Sequence, residues 1–558
     1  ANNRDGTREK PDYSRWQYGA DLGGPIIKDV LHFYGAFEAT DKTKPSGNVD
    51  LRSPVPANLI TQFNGSYPLD YNQKLYFGKL TLFASAQDTI NLSAFIRDES
   101  NIGGVGGTSV PSHGGPINNK VKTFQADWSH RGDSWLNELF VSYSIVENGA
   151  RRGSEGPEII LSNGTDYGTV AALGAGSFEQ NDSQKSWTIK DNVTFFGGAH
   201  TVKAGVKVSF NKYERLEDNR SNGGYFFNAS SYTGFDSSTP YGARINVQDF
   251  EPGRANNTQI GLFVQDDWAL DDHWTFNLGL RWDFETNAKN EKFVTPANVA
   301  TALRNYPGWK AAGINPEDYI STGDNRDPFW GAFQPRIGIS YDVNGDRDLV
   351  FFAGAGRYYD RPLFITSGIE TIKNRHERVV QANFCTEAVT PGVPDCPTLR
   401  ANNQANPGAL PRDTLVWNPA FRNVDTMRSA AAALGTGGDI WLLNNENKLP
   451  YSDQFNIGVR KRFGEIQTSL TYSHIRSHNV FRFVRGNRFS NGWYSRILQR
   501  DGAGNVIGCT DGGNAWIQDN FPDVDYAACA AKQGDLAGFN GKLNIGDNSG
   551  KAVYNAIY

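Results

Sequence analysis

The sequence QIGLFVQDDWALDDHWTFNLGLRWDFE, residues 259–285, decides the fold of this protein. In its second half, large apolar residues alternate with polar, charged or small ones: Trp274, Phe276, Leu278, Leu280, Trp282 and Phe284 against Thr275, Asn277, Gly279, Arg281, Asp283 and Glu285. Side chains of a strand point alternately to the two faces of a sheet, so this pattern predicts a strand with one apolar face. A helix would bring Arg281 and Asp283 into its apolar stripe, which argues against one.

The same pattern recurs along the chain as pairs of segments joined by a very short turn. There are seven such hairpins, with turns near Lys28-Asp29, Gln87-Asp88, Gly132-Asp133, Gly197-Gly198, Asp271-Asp272, Asn344-Gly345 and Gly464-Glu465. Asp, Asn and Gly tolerate the positive φ that tight hairpin turns require. An eighth hairpin is expected to begin at residues 552–558.

Long polar stretches separate the hairpins, at residues 40–73, 98–120, 147–184, 213–257, 286–332, 361–451 and 480–550. We expect them to be loops, and two of them to hold short helices. In one, Thr295 and Pro296 would cap and open a helix over residues 297–304. In another, Asp425 would cap a helix over residues 426–434, with Gly435 as its stop.

The composition fits a membrane β-barrel better than a helical membrane protein. Of the 558 residues 38% are hydrophobic and 13% aromatic, and mean hydropathy is −0.53. No apolar run approaches the ~18 residues that a membrane-spanning helix needs. A barrel strand needs apolar residues only at alternate positions, with Trp and Tyr near the ends of segments.

A soluble β-propeller is the alternative fold, but its blades would recur at a near-constant spacing, and here the spacing between hairpins grows along the chain. Short turns on one side and long loops on the other are typical of outer-membrane barrels. The predicted fold class is therefore all-β: a large antiparallel up-and-down transmembrane β-barrel. It has about 14–16 strands in this chain, long extracellular loops and short periplasmic turns.

Charge and cysteine content restrict the possible binding partners of the protein and the cellular compartment in which it folds. The net charge is −5 with both signs mixed along the chain, which gives no footprint for nucleic acid. The four cysteines form two local pairs, Cys385 with Cys396 and Cys509 with Cys529, which suits loop disulfides made in an oxidising compartment. Four free thiols remain the alternative, whereas the spacing does not suit zinc.

No group of residues has the spacing of a catalytic or cofactor site. Asp342 to Asp346 begins like a calcium loop but lacks the closing Glu, so a hairpin turn is favoured. His474 and His478 lie at the end of a segment and in the loop expected after it, where solvated side chains are favoured over a metal site. We expect no enzymatic activity, no cofactor and no bound metal.

The charged and polar positions of the alternating segments are expected to face the interior of the barrel. The candidates for this lumen-facing set are Lys203, Lys207, Asn277, Arg281, Asp283, Glu285, Arg336 and Arg460. We interpret this set as the polar lining of a water-filled interior, which is favoured over a role as specific substrate ligands.

Several segments resemble the Oar-like (OmpA-related) branch of the TonB-dependent outer-membrane transporters. They are GADLGGPIIKDVLHFYGAFE at 19–38, GLFVQDDWALDDHWTFNLGLRWD at 261–283, FQPRIGISYDVNGDRDLVFFAGAGRYYDR at 333–361, YSDQFNIGVRKRFG at 451–464 and YNA at 554–556. The first two segments are specific to this branch of the family, whereas the other three are weaker signals by themselves. They occur in the order that the family has.

This resemblance implies a parent barrel of 22 strands, a plug domain inside it and an N-terminal β-sandwich domain. It also implies import energised by the TonB complex, which acts on the plug. Because no plug, sandwich or TonB box precedes the first hairpin, we expect residues 1–558 to be part of such a barrel. The expected partners are outer-membrane lipid, TonB through the plug region, and the solute.

Two functional hypotheses follow for a protein of the bacterial outer membrane. The first is import of a large nutrient, such as a glycan fragment, a peptide or a chelate. The alternative is a surface-exposed structural or adhesion barrel, or a passive porin-like channel, without coupling to TonB.

Overall fold

The computed structural model of the chain describes residues 13–163, 168–248, 251–306, 309, 313–361, 364–402, 408–411, 413–435, 438–485, 497–500, 506–510 and 543–558. The strands are β1 (Ser14–Ile27), β2 (Leu31–Val49), β3 (Gly65–Phe83), β4 (Asp88–Gly103), β5 (Gly115–Arg131), β6 (Trp135–Ala150), β7 (Glu158–Ser162), β8 (Thr169–Gly174), β9 (Phe178–Gly197), β10 (His200–Asn219), β11 (Gly224–Asn228), β12 (Gly242–Asn246), β13 (Gly253–Ala269), β14 (Trp274–Glu285), β15 (Ala332–Asp342), β16 (Leu349–Tyr359), β17 (Val379–Cys385), β18 (Thr414–Val416), β19 (Ile440–Leu443), β20 (Tyr451–Phe463), β21 (Ile466–Arg485), β22 (Ile497–Arg500), β23 (Val506–Thr510) and β24 (Leu543–Ile557). The α-helices are α1 (Ala57–Phe63), α2 (Ala297–Arg304), α3 (Phe364–Arg375), α4 (Cys396–Ala401) and α5 (Val424–Ala433).

The main element is a sixteen-stranded sheet of successive antiparallel hairpins, in the order β1-β2-β3-β4-β5-β6-β9-β10-β13-β14-β15-β16-β20-β21-β24-β19. Only β19 joins it by a parallel pairing, with β24. This sheet of up-and-down hairpins, which we call the wall, confirms the predicted fold class. Within the described residues, β1 pairs with β2 alone and does not meet β24.

All seven predicted hairpins are present, and their turns use the residues that tolerate positive φ. Asp29 has a φ of 60°, Gly198 of 56° and Gly464 of 62°. These turns join long strands with little chain between them, so neighbouring strands are fixed in register by local geometry.

The predicted boundaries of the loops are wrong, because the strands run well past them. Residues 213–219 belong to β10, and β24 begins at Leu543 instead of residue 552. His478 lies in β21 and not in a loop after it. Strands β9, β10 and β21 have 20 residues each, about twice what crosses a membrane. Beyond the membrane neither face contacts lipid, so the alternation that marks a strand in the sequence disappears.

The connections themselves are folded, although their sequences predict loops. Three of them contribute a second sheet of six strands, in the order β18-β17-β12-β11-β7-β8. We call this sheet and the helices packed on it the extracellular assembly. Its buried core consists of apolar residues from five connections, among them Leu51, Val110, Leu161, Leu173, Tyr225, Phe227, Ile245, Val380, Phe384 and Met427. Short apolar runs such as EIILS in β7 and GYFFN in β11 were the signal for it.

Both predicted helices exist, but the residues expected to cap them are different. Helix α2 spans the predicted range, and Pro296 occupies its N-cap position without a side-chain bond. Thr295 Oγ1 instead accepts a hydrogen bond from Ser321 N at 2.9 Å. Helix α5 is capped by Asn423 and not by Asp425, because the Asn423 side chain accepts from two backbone N–H groups of the first turn. None of the helices in the described part of the chain is long and apolar enough to cross a membrane.

One face of the wall is apolar and exposed, as expected of a surface in contact with lipid. Leu262, Val264, Leu278 and Leu280 are each between 41% and 48% exposed. A row of aromatic residues crosses four strands of this face at Phe124, Tyr143, Trp187 and Phe210. Tyr143 and Trp187 stack with ring centroids 4.7 Å apart. Such rows occur where the hydrocarbon ends, so this one lies at the extracellular boundary of the membrane.

Leu278 gives a direct test of which face contacts lipid. It lies midway along β14, with aromatic residues on the same face toward both ends of the strand. Leu278→Arg should lower the free energy of unfolding by ~2–4 kcal/mol, because the cation would be near the midplane of the bilayer. Asn277→Arg is the matched control, since it places the same cation on the polar face beside Asp267.

Urea unfolding in lipid vesicles measures both variants. The control should change the free energy of unfolding by less than ~1 kcal/mol, as a polar surface substitution does. Equal losses in the two variants would mean that the faces are assigned wrongly.

Candidate functional site

The pairing register places all eight lumen-facing candidates on the same face of the wall, opposite the apolar one. Following the register from strand to strand, the residues that share this face include Lys203, Lys207, Asn277, Arg281, Asp283, Glu285, Arg336 and Arg460. Because the apolar face meets lipid, this polar face is the interior of the wall. We call it the interior face.

Two of these candidates, Arg281 and Asp283, form an ion pair, and Glu285 lies in a separate hydrogen-bonded group. The Arg281 guanidinium donates to Asp283 through Nε at 2.7 Å, and Gln334 also donates to Asp283. The carboxylate of Glu285 is buried and accepts from Asn257 at 2.8 Å and Gln259 at 3.2 Å. Lys203 lies apart, with its Nζ 3.3 Å from Glu138 Oε2. Asn277 donates to Asp267 at 2.6 Å, whereas Arg336 stacks on the ring of Tyr358.

Helix α3 lies directly on the interior face near its extracellular end. Lys373 Nζ is 2.6 Å from Glu217 Oε1 of β10 and 2.7 Å from Glu377. Glu217 also accepts from Arg215, which in turn binds Asp182 of β9 at 2.9 Å. The helix is thus held against two strands of the wall by a chain of ion pairs. It covers part of the interior face near the extracellular ends of these strands.

A fully buried ion pair joins α3 to the connection between β14 and β15. Arg326 and Glu370 form two parallel hydrogen bonds of 2.8 Å, and their side chains are 0% and 1% exposed. The same guanidinium donates to the carbonyls of Lys289 and Leu443. Such a fork of charge-assisted bonds fixes the position of α3 relative to the wall.

A cavity of about 540 Å³ lies where α3 meets the extracellular ends of β16, β20 and β21. Tyr358, Tyr451 and Phe481 supply aromatic surface, whereas Lys289 and Arg361 supply positive charge. Burial lowers the pKa of Lys289. The size and the lining are those of a pocket for a small molecule or for one end of a larger one.

Cys385 and Cys396 are joined by a disulfide within the extracellular assembly. Both are fully buried beside the core of that assembly. Cys529, in the other predicted pair, lies outside the described residues.

Cys385→Ala/Cys396→Ala should destabilise the assembly by about 3 kcal/mol, because the bridge removes entropy from the unfolded chain.

Hydrogen exchange of the amides in β17 measures this loss. Val389→Ala is the control within the bridged segment, since Val389 is 92% exposed and its truncation should change little. Unchanged protection of β17 in the double variant would contradict the prediction.

Several residues of the interior were not singled out from the sequence. Lys190 lies on a polar position of its segment, like Lys207, and could have been found by the same alternation. Arg326, Arg361 and Glu370 come from long polar connections. Nothing local in the sequence marks these three, since only the folded connections bring them to the wall.

Comparisons with known proteins agree with this architecture. A family model described as an outer membrane beta barrel domain matches residues 57–558. The TonB-dependent transporter Oar of Myxococcus xanthus is 22% identical over 551 residues, which cover 82% of this chain and 47% of that protein. The chain thus spans about half the length of this curated relative.

Solved structures share the fold at low identity. The outer membrane transporter YddB of Escherichia coli superposes with a TM-score of 0.56 at 11% identity, covering 99% of this chain and 52% of that one. A mutant of the ferric enterobactin receptor PfeA of Pseudomonas aeruginosa gives 0.51 at 11% identity, covering 99% and 57%. Because the family model covers most of the chain, the chain belongs to the outer membrane beta barrel domain family, is similar to TonB-dependent transporters, and lies in the bacterial outer membrane.

Proposed function

We propose that this chain forms wall and loops of a TonB-dependent transporter that imports a large nutrient, such as a glycan fragment, a peptide or a chelate, and that it is not an enzyme. The observation that carries the proposal is the position of α3. It lies on the polar interior face, below a folded extracellular assembly and beside a cavity open to the same space.

Each part has a role in such a transporter. The extracellular assembly presents a rigid surface to the medium, because its sheet has an apolar core of its own. The cavity at the rim receives the solute, and the polar wall keeps its route hydrated. Helix α3 covers part of the interior face. This position favours a route that opens only during transport over a permanently open channel.

The partners of the proposed transporter follow from its relatives. Outer-membrane lipid surrounds the apolar face. The TonB complex would act through a plug region, as the resemblance to TonB-dependent transporters implies. The similarity to a transporter and to a receptor of a ferric chelate supports a large solute over a small ion.

A reversible lock on α3 tests the proposal. If a Cβ is added to Gly253 of β13, it lies 2.9 Å from Ile372 Cγ1 of α3. Gly253→Cys/Ile372→Cys therefore brings two Cβ atoms within the range that a disulfide spans. Oxidation of this variant should hold α3 on the wall.

The measurement is uptake by cells that carry the full-length gene, with labelled oligosaccharides, peptides and ferric chelates as probes. At least one probe should enter in a TonB-dependent manner. Its uptake should fall to the level of the gene deletion on oxidation and recover on reduction. The two single variants and the unmodified protein, treated alike, are the controls.

Other outcomes would replace the proposal with one of its rivals. Uptake that persists without TonB would indicate a passive channel. A gene deletion that changes no uptake but weakens attachment to surfaces would indicate an adhesion barrel. Uptake that is unaffected by the lock would show that the solute does not pass α3.

A further inference from the structure

Two lysines oppose each other directly on the interior face. The register of β9 and β10 pairs Lys190 with Lys207. Both side chains point to the interior, where Lys207 has Gly261 of β13 as its other neighbour. Like charges at directly opposed positions destabilise a sheet. A bound anion would reduce the repulsion between the two ammonium groups.

The carboxylates of the surrounding wall are already engaged. Asp283 is bound by Arg281 and Gln334, Glu138 by Lys203, and Glu285 by two amide side chains. Among the residues that the structure describes, none forms a hydrogen bond or an ion pair with the Lys190 or Lys207 ammonium group. The ammonium groups of the two lysines are therefore without a hydrogen-bond or ion-pair partner within the described part of the wall.

Two arginines add to the positive charge at this place. The Arg281 guanidinium and the Asp283 carboxylate paired with it both lie over Gly261, where a Cβ would collide with them. Arg361 reaches down from the extracellular end and donates to Gln259. Gln259 pairs with Ser209, one interior position beyond Lys207. Four cations and one carboxylate, that of Asp283, thus lie on one part of the wall, which leaves an excess of positive charge there.

Hydroxyl groups complete the surface. Thr188 and Ser209 lie opposite each other, one interior position beyond the lysine pair, with their oxygens 3.0 Å apart. One of the two hydroxyls donates to the other, which leaves the second O–H free to donate to an oxygen atom of a bound group. Lys190 is exposed and Lys207 half-buried, so the place is open to the interior.

We propose that Lys190, Lys207, Arg281 and Arg361 bind an oxyanion, either a carboxylate or a phosphate, on the solute that passes along the wall. The inference rests on the proposed transport function for the identity of the occupant. It narrows the substrate class, because a neutral oligosaccharide would leave the repulsion between the lysines uncompensated. Ammonium and guanidinium groups both make charge-assisted bonds to such oxygens.

The chain offers a matched control. Lys185 and Lys212 oppose each other on the same two strands, but their side chains point to the lipid face. Lys190→Gln/Lys207→Gln and Lys185→Gln/Lys212→Gln therefore remove the same two charges, in the same cross-strand geometry, from opposite faces. Glutamine relieves the repulsion within each pair, so both variants are expected to fold.

Calorimetric titration of the purified full-length protein in detergent measures binding, with citrate and pyrophosphate as separate probes. Low ionic strength keeps the attraction unscreened. At least one probe should bind, and the Lys190/Lys207 variant should bind it about tenfold more weakly or worse, as expected when charged hydrogen bonds are lost. The control should stay within about twofold of the unmodified protein. The probe that binds more tightly distinguishes a phosphate from a carboxylate.

Three results would overturn the inference: no binding of either probe, equal loss in both variants, or no loss in the Lys190/Lys207 variant. A second substitution, Lys190→Glu, should abolish binding by pairing with Lys207 inside the wall. The titration involves neither TonB nor uptake. Failure of the transport hypothesis would thus leave binding intact, whereas failure of this inference would leave uptake of uncharged probes intact.

Discussion

Arg326→Met is expected to destabilise the contact between α3 and its neighbouring connections by about 3–5 kcal/mol, the usual cost of breaking a buried ion pair. The substitution leaves the Glu370 carboxylate, 1% exposed, without its cation. It also removes the donor to the carbonyl of Leu443, which Arg326 binds at 3.0 Å. Asn290 and the Leu443 N–H would remain as partners of Glu370, but both are neutral.

Hydrogen exchange of the amides in α3 and β19 measures this effect. Arg326→Met/Glu370→Met should recover part of the loss, because two apolar side chains replace the pair and no charge stays buried. Arg304→Met is the control. Its partner Glu317 lies 2.7 Å away, but the two side chains are 52% and 53% exposed, so solvent screens the pair and its removal should change the exchange of these amides little. Equal effects of the buried and the exposed substitution would contradict the prediction.

Phe227→Ala is expected to destabilise the extracellular assembly by about 3–5 kcal/mol and to leave the wall intact. Phe227 is 1% exposed in the core of the assembly, and its ring packs against Tyr232 at 5.1 Å and Phe235 at 6.1 Å. Truncation leaves a cavity that the sheet cannot close, because β11, which carries Phe227, is held by pairing with β7 and β12 on its two sides.

The same exchange experiment separates the two parts. Amides of β11 and β12 should lose protection, whereas those of β9 and β10 in the wall should keep it. Phe227→Leu, which retains most of the volume, should lose less. Loss of protection in the wall as well would show that the assembly and the wall unfold as one unit, and would refute the independent core.

The fold of the wall could be predicted because membrane strands carry their own signature. Alternation such as that from Trp274 to Glu285 gave the strands, their faces and the turns between them. Where strands leave the membrane the signature ends. The stretch Tyr213–Asn219 of β10 was predicted as loop, because its outward positions are not apolar throughout, with Asp218 bound to Arg152, and its inward Glu217 binds α3.

The residues of the candidate site likewise fall into those that the alternation predicts and those that it does not. Alternation identified Lys207, Arg281 and Asp283 as facing the interior. It did not place Lys190 opposite Lys207, since this pairing follows from a turn at residues 198–199 and the turn was predicted one residue earlier, at Gly197-Gly198. Nor could it show Arg361 and Glu370 at the wall, because they lie in a connection whose position depends on contacts far apart in the sequence.

The sequence by itself determined the class of the protein: an antiparallel wall with one face for lipid and one for water. That follows from side-chain direction, which is a local property of a strand. Only the tertiary structure decided that the long connections fold into a second sheet, that α3 rests on the interior face, and that two lysines there lack an anion. These features depend on which distant residues meet, and the free energy of each contact is set by its surroundings and not by neighbours in the chain.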